Sequence, residues 1–467
     1  MKFLYLFLLV LLADTVARAQ VPTYSFWYGN LHSHSSYSDG NQDSLTSGKS
    51  FPAQDYAFAD ASLHLDFLGI SEHNHLTAGM HLRDYARGMQ QAVQATNPQF
   101  VALHGTEWGV ISGGGHMLIY GVTQLLGWET GNYDVYVARN DYQALMRQIN
   151  RRPGAFALFA HPQSGDYGNL AGSAPFSPTA DSALVGTPLR SGYATSTNTT
   201  YSNPYTGSYE ATYRAMLAKG YHVGISLDHD NHNTTFGRTT AGRLVVLAPA
   251  LTPADLLQAL RVRRFYASDD WNAQVTLTLN GQPMGSILQA PGAAALNVTA
   301  ADPDGEATSS ITLMRGVPGS GSNAVGVATA AQGVATLSYS DPASSGTAYY
   351  YAVVIQADGD RIVTSPIWYT RTIATATKSP ENTVTLDVFP NPANGSQVTL
   401  SYFLPTASNV TLGIFNELGQ ELVSLAVGEK QAAGSHAYTL PSTLAPGVYL
   451  VRMQEAERIA IRRLVIL

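Results

Sequence analysis

Residues 29–40 read GNLHSHSSYSDG, with His32 and His34 one residue apart and Asp39 shortly behind them. In an extended strand, residues two apart point to the same side, so both imidazoles can face one ion. Comparable groups recur downstream: Glu72, His73 and His75 in GISEHNH, Glu107 in GTEW and His116 in GHMLIYG, then His161 in LFAHP and Asp228, His229, Asp230 and His232 in LDHDNH. Imidazole combined with carboxylate suits zinc, manganese or iron, whereas calcium and magnesium favour all-oxygen cages. A lone histidine is more often a satisfied core or surface residue than a ligand; a set recurring at successive strand ends is better explained by metal. Twelve of the 13 histidines precede residue 233, so this chemistry belongs to the first part of the chain. There is no cysteine, which excludes thiolate metal sites, cysteine nucleophiles and disulfide staples.

Something must bring these residues together. Short apolar runs predict strands at Phe26–Leu31, Leu65–Ile70, Phe100–His104, His116–Tyr120, Ala155–Ala160, His222–Leu227 and Arg243–Leu247. Nearly all of them open at or lead into a candidate ligand. Amphipathic stretches intervene, among them Tyr209–Lys219 and Pro253–Phe265, the latter with Thr252 as N-cap and proline at its first position. This alternation predicts an α/β unit with a parallel sheet or barrel, whose site forms at the carboxyl ends of the strands. Segment 163–208, rich in Gly, Ser, Thr, Pro, Asn and Tyr, shows no periodicity and reads as a long loop insertion. It is either a surface excursion or a lid carrying Tyr167, Tyr193, Tyr201 and Tyr205. Gly113–Gly115 has no P-loop lysine after it, so it reads as a loop that lets His116 approach an ion. Arg238 and Arg243 stand near the last motif as phosphate clamps or, equally, as surface arginines.

The 467 residues suggest about three domains. With 45% hydrophobic and 13% charged residues and a net charge of −7, the chain is globular and is not a general nucleic-acid or membrane-surface binder. Residues 1–19 read as a signal peptide, with Lys2, an apolar run from Phe3 to Leu12 and Ala17-Arg18-Ala19 before Gln20. That run is too short to span a bilayer, and no transmembrane candidate follows. The unit of residues 20–272 gives way to alternating apolar and polar residues with an Asn280-Gly281 hairpin signal, predicting a β-sandwich over 273–372. Residues 373–383 read as a linker and 384–467 as a further small all-β unit.

The motifs NLHSHSSYSDG, GISEHNH, GTEW, GHMLIYG, LFAHP and LDHDNH resemble, in order, those of the PHP (polymerase and histidinol phosphatase) family. The resemblance covers roughly residues 26–270. It implies a distorted (β/α)7 barrel that binds two or three divalent transition metals (zinc, manganese or iron) and hydrolyses phosphoesters with a metal-activated water. Carried onto matching positions, it implies one metal on His32, His34, Glu107 and Asp230. Glu107 would bridge to a second on His116 and His161, and a third would take Asp39, His73 and His232. Asp39 stands where some members have histidine, and Glu72, where aspartate is commoner, would orient a ligand. Asp230-Asn231-His232 supplies the family's D-x-H spacing and leaves Asp228 and His229 spare; His75, His104 and His229 would be neighbours or substrate contacts. The expected catalytic residues are Glu107, Asp230 and Arg238. The stretch TPADLLQALRVRRFYASDDWN resembles the end of secreted members that carry a trailing β-domain.

At the C-terminus, VFPNPANG, GIFNELGQEL, LAPGVYLVRM and RRLVIL resemble the sorting domain of the type IX secretion system. This implies passage through the periplasm by the type IX machinery. The destination would be the medium or the outer-membrane surface of a Gram-negative bacterium, where lipopolysaccharide is a partner. Together these readings imply an exported phosphoesterase acting on a small molecule. The alternatives are a hydrolase of a non-phosphate ester or carbamate, and a surface binding protein with a decayed site. Decay usually breaks ligand positions, and here each holds a residue able to bind metal.

Overall fold

The computed structural model describes residues 24–202, 207–342, 345–372, 385–394, 397–416, 419–440, 444–456 and 458–467. The expected signal peptide, Tyr205 and the expected linker lie outside them. The chain divides into two units, Met1–Ile373 and Ala374–Leu467.

FALFA is apolar on both faces, and both it and FLGISEH, apolar at its start, become strands buried on both sides. The first eleven strands are β1 (Ser25–Asn30), β2 (Phe67–His73), β3 (Val101–Val110), β4 (Gly115–Tyr120), the short pair β5 (Leu126–Gly127) and β6 (Val135–Tyr136), β7 (Phe156–Ala160), β8 (Leu184–Arg190), β9 (Gly224–Leu227), β10 (Arg243–Ala248) and β11 (Phe265–Ser268). The helices between them are α1 (Ser44–Ser47), α2 (Pro52–Asp60), α3 (Leu82–Ala95), α4 (Tyr142–Asn150), α5 (Asp166–Asn169), α6 (Pro178–Ala183), α7 (Glu210–Lys219) and α8 (Pro253–Arg261). Thr252 caps α8 as expected, its hydroxyl accepting from the Asp255 amide at 3.1 Å.

The sheet runs β11-β10-β1-β2-β3-β4-β7-β8-β9. It is mixed rather than parallel: β1-β2-β3 and β7-β8-β9 are parallel ladders, while β4 is antiparallel to β3 and β7, and β10 to β1 and β11. For β3 and β4 the reason is connection length. Only a short turn at Ile111–Gly113 separates β3 from β4, and parallel neighbours need a long crossover. Among the described residues no ladder joins β9 to β10 or β11; Gly224 of β9 instead abuts the Phe265 ring and Ser365, with no room for a Cβ.

Residues 163–208 differ from the expected loop. They contain α5, α6 and β8, an interior strand of the sheet. Its sequence LVGTPLR is buried along almost its whole length, so it lacks the alternation that marks a half-exposed strand.

Ten further strands follow: β12 (Gln274–Leu279), β13 (Gln282–Pro283), β14 (Ile287–Pro291), β15 (Ala294–Ala301), β16 (Thr308–Gly316), β17 (Val325–Ala330), β18 (Thr336–Asp341), β19 (Gly346–Gln356), β20 (Arg361–Thr364) and β21 (Ile367–Thr372). One sheet, β13-β12-β15-β18, shows the predicted alternation of buried and open residues. The other is continuous with the first sheet, because β20 pairs with β11 through Tyr266–Thr364, Ala267–Val363 and Ser268–Ile362. Tyr28, Val245 and Tyr266 accordingly share a core with Val275, Leu296 and Ile311.

The second unit has sheets β22 (Thr385–Phe389), β23 (Thr399–Leu404) and β26 (Gly434–Thr439) facing β24 (Ser408–Phe415), β25 (Glu421–Gln431), β27 (Gly447–Glu455) and β28 (Arg458–Ile466). Leu386, Leu400, Leu412, Val451 and Leu464 form its core. Among the described residues no helix is long and apolar enough to cross a membrane.

His104 of β3 is an interior histidine without chemistry. Gly88 of α3 lies against its ring so closely that a Cβ would overlap it, and neither ring nitrogen has a partner. Burial pushes its pKa down to about 3, against about 6.5 in an unfolded chain. The unfolded state therefore binds the extra proton, and the neutral ring's contribution is present above pH 6.5 and lost as pH falls toward 3. His104→Leu should gain on the parent as pH drops from 7 to 5, by up to about 1.4 kcal/mol per pH unit in unfolding free energy. A difference independent of pH in denaturant titrations would refute this.

Candidate metal centre

The carboxyl ends of β1, β2, β3, β7 and β9 and the start of β4 deliver the predicted residues to one place. Glu107 of β3 is at its middle, 1% exposed. Its Oε1 lies 3.0 Å from His32 Nε2, 3.0 Å from His116 Nδ1 and 2.9 Å from His161 Nε2; its Oε2 lies 3.3 Å from His34 Nε2 and 3.2 Å from His73 Nδ1. Asp230 Oδ1 is 3.1 Å from His32 Nε2 and 3.4 Å from His34 Nε2. Asp39 Oδ1 closes the far side, 3.5 Å from His73 Nε2 and 3.4 Å from His232 Nε2.

Three overlapping donor sets result: His32, His34, Glu107 and Asp230; His34, Asp39, His73 and His232; and His73, Glu107 and His116. His161 meets the first and third through Glu107. Nitrogen and oxygen ligands sit about 2.0–2.2 Å from zinc, so two donors on one ion stand roughly 3–3.5 Å apart, the spacing found here. The buried donors His32 Nε2, His34 Nε2, His73 Nδ1, His116 Nδ1, Glu107 Oε2 and Asp230 Oδ1 also have no hydrogen-bond partner. Buried polar atoms are rarely orphaned, and so many in one place fit divalent metal.

The backbone is bent to make this cluster. His161 and Asp230 both lie in the left-handed region, at φ 30° and 54°. Such non-glycine residues cost about 1–3 kcal/mol each and persist where surroundings over-determine them. The loop after β1 turns back so tightly that a Cβ on Gly40 would overlap the His34 carbonyl, which brings Asp39 round to face His34. Glu72 lies beneath, bonded to serines rather than directly to a candidate ligand. It accepts from the Ser35 hydroxyl and from Ser38 Oγ at 2.5 Å, and Ser38 Oγ is 3.4 Å from His34 Nδ1.

Electrostatics bind the set together. Burial opposes the charge of Glu107, but the surrounding His116, His32 and His73 outweigh it and hold the carboxyl well below its usual range. Burial likewise opposes the His34 cation, and Asp230 and Glu107 still push it up to about 10. His73, for which burial prevails over Glu107, goes down to about 3.

Other expectations resolve differently. Arg238, expected at the reacting group, donates to Ser62 Oγ at 2.8 Å and the Phe58 carbonyl at 3.1 Å, and stacks over the Phe58 ring at 4.0 Å. Arg243 is fully buried and donates to the carbonyls of Leu63, His64, Gly237 and Thr240. Both arginines tie down the loop after β9 and are committed to that role. His229 Nε2 lies 2.8 Å from the Gly242 carbonyl, and Asp228 Oδ2 faces His32 Nδ1 at 3.8 Å. His75 lies beside His73 and stacks on Trp128 at 5.8 Å. Tyr167 is not a lid residue: it is buried, its hydroxyl directed to the carbonyls of His116 and Ala160 at 2.9 Å. Tyr201 accepts from the Leu63 amide at 2.9 Å.

Sequence reasoning missed Asn30. Its Oδ1 accepts from the amides of His32 and His229, at 3.2 and 2.9 Å, and its Nδ2 donates to the His32 carbonyl and Ser33 Oγ. It clamps the end of β1 to the loop after β9. A polar residue closing an apolar strand was the available signal. From the central position of Glu107 we expect Glu107→Gln to bind less than half the metal of the parent, whereas Asp39→Asn, at the half-exposed edge, should lose at most one equivalent. Elemental analysis after metal reconstitution measures both, and equal contents would contradict the bridging position.

No curated protein matches the chain. Among solved structures it is similar to a two-domain protein from Bacteroides vulgatus containing a predicted PHP-like metal-dependent phosphoesterase, at 14% identity and TM-score 0.39, over 76% of this chain and 99% of that one. It is also similar to fibronectin(III)-like modules of Clostridium thermocellum CbhA (12% identity, TM-score 0.17, 41% of this chain and 92% of that one). A third similarity is to PorZ, a surface component of the type IX secretion system of Porphyromonas gingivalis (15%, 0.14, 25% and 15%). Such low scores say nothing about activity. Residues 387–467 match the family described as the secretion system C-terminal sorting domain, so the chain carries a type IX sorting domain at its C-terminus and is directed to secretion or attachment at the cell surface.

Proposed function

We propose that this chain is an exported metal-dependent phosphoesterase of PHP type, with the site on the sheet of residues 24–268. The observation that carries the reading is Glu107: one buried carboxylate with five imidazoles within 3.3 Å of its two oxygens. His32, His34, Glu107 and Asp230 would hold one metal, and Glu107, His116 and His161 a second. Asp39, His73 and His232 would hold a third. When bound, zinc, manganese or iron supplies the positive charge that activates water and neutralises the oxyanions of an ester.

The chain's own residues do the positioning. His32, His34 and Glu107 are almost completely buried, whereas the side chains of Asp230 and His232 are 13% and 12% exposed and that of Asp39 is 41% exposed. Substrate therefore enters on the side of Asp39, His232 and Asp230. With Arg238 and Arg243 engaged elsewhere, no arginine of the last motif receives the phosphate, and its charge falls to the metals. Asp230 lies at the boundary between the buried donors and the opening, placed to orient the attacking water. The completeness of the donor set argues against a decayed binding protein.

Asp230→Asn is a clean test, because asparagine tolerates a left-handed backbone at least as well as aspartate. It should lower kcat at least a hundredfold, roughly 3 kcal/mol of transition-state stabilisation, with little change in KM. Phosphomonoesters, phosphodiesters and carboxylic esters should be assayed together. Turnover of carboxylic esters alone would favour the non-phosphate reading, and full activity without metal would end both. The sorting domain should be dispensable for chemistry: a chain ending near Thr377 should keep its hydrolytic activity and collect in the periplasm of the native host. A folded truncation without activity would contradict that division of labour.

A further inference from the structure

Asp228, the first acid of LDHDNH, belongs to none of the three donor sets, yet it lies directly behind a member of one. His32 turns Nε2 toward Glu107 and Asp230, at 3.0 and 3.1 Å, and Nδ1 toward Asp228 Oδ2 at 3.8 Å. Both side chains are 0% exposed. Neither His32 Nδ1 nor Asp228 Oδ2 has a hydrogen-bond partner, although buried polar atoms are rarely left without one. The gap is about 1 Å longer than an N–H···O bond, and the terminal torsions of Asp and His are soft enough to close it.

The pair is held from outside the site. Asp228 follows β9; its amide donates to the Arg190 carbonyl at 3.0 Å, and Ser226 Oγ donates to its Oδ1 at 3.3 Å, which leaves Oδ2 to His32. Arg190 is itself held by Asp269 in a two-pronged ion pair at 2.8 and 2.7 Å. Asn30 fixes the other half: it accepts from the amides of His32 and His229 and donates to the His32 carbonyl. The backbone is therefore set at both ends, and only the two side chains need to move.

We propose that Asp228 is the residue that positions His32 for metal. An imidazole that gives Nε2 to an ion carries its remaining hydrogen on Nδ1; Asp228 Oδ2 would accept that hydrogen, fix the ring and strengthen it as a ligand. The rear nitrogens of neighbouring donors have weaker partners: Ser38 Oγ lies 3.4 Å from His34 Nδ1, and the Asp230 carbonyl 3.0 Å from His232 Nδ1. A hydrogen bond to a carboxylate is roughly twice as strong as one between neutral groups. The set of His32, His34, Glu107 and Asp230 is thereby the tightest of the three. This inference rests on the proposed metal binding and adds to it which ion is held hardest, and by what.

Zinc and the full chain test it. Titration against a competing chelator should show one equivalent bound more tightly than the rest. Asp228→Asn keeps the shape but not the charge; it should weaken that equivalent by about ten- to a hundredfold, the usual effect of losing such a partner, and the weaker equivalents much less. Ser226→Ala, which keeps the carboxylate but loosens it, should give a smaller loss at the same equivalent. Without metal, Asp228→Asn should unfold at or above the parent's temperature, because a buried carboxylate without a paired charge is costly; this separates positioning from support of the fold. Should that variant fail to fold, the zinc-loaded parent with isotopically labelled histidine still decides. Its NMR spectrum should contain a slowly exchanging imidazole Nδ1 proton whose resonance Ser226→Ala shifts. Unchanged affinity of the tightest equivalent, an equal fall at every equivalent, or absence of that proton would overturn the inference. A parent that takes up no zinc at all would instead count against the metal centre itself, and the inference would fall with it.

Discussion

The architecture around the site depends on one unfavourable burial, that of the Glu107 carboxylate among five imidazoles. Left alone, the group is over-determined: burial favours neutral forms, yet Glu107 and Asp230 hold His34 as a cation while His73 is held neutral. Several ring nitrogens and carboxylate oxygens are buried without hydrogen-bond partners. Divalent ions would replace competing protons there and fit the observed donor spacing.

That constraint accounts for local features that are otherwise odd. His161 and Asp230 adopt left-handed backbones, and Gly40 gives up its Cβ so that the loop can fold back on His34. Tyr167, Asn30 and Glu72 spend their polar groups on backbone and serines that border ligands, not on the ligands' ring nitrogens. The ring and carboxylate donors are thereby left without hydrogen-bond partners of their own. The shared sheet adds a further restraint, because β11 pairs with β10 on one side and with β20 of the sandwich on the other.

The residues that gather in the cluster were legible because strand periodicity and strand ends are local properties. His32 and His34 alternate along the extended segment that follows β1, and the strands that carry or lead into candidate donors are buried along almost their whole length. What escaped was non-local or lacked contrast. β8 is buried on both faces and carries Gly186 and Pro188, so its composition read as loop. The antiparallel turns of the sheet depend on which strands become neighbours, which no short window encodes. Arg238 looked like a phosphate clamp by proximity in sequence, but Phe58 and Ser62, remote in sequence, claim its guanidinium. The break at residue 272 was visible as a change in strand grammar; that β20 would join β11 across it was not.

Donor type narrows what the histidine-rich cluster could hold. At most three carboxylates take part beside its imidazoles, a mixture that offers calcium little and would suit a borderline metal such as zinc, for which nitrogen ligands are available. The cluster is tied to the sheet edge through one ion pair: Asp269, which follows β11, holds Arg190 at the end of β8, and the Arg190 carbonyl accepts from the Asp228 amide beside the cluster.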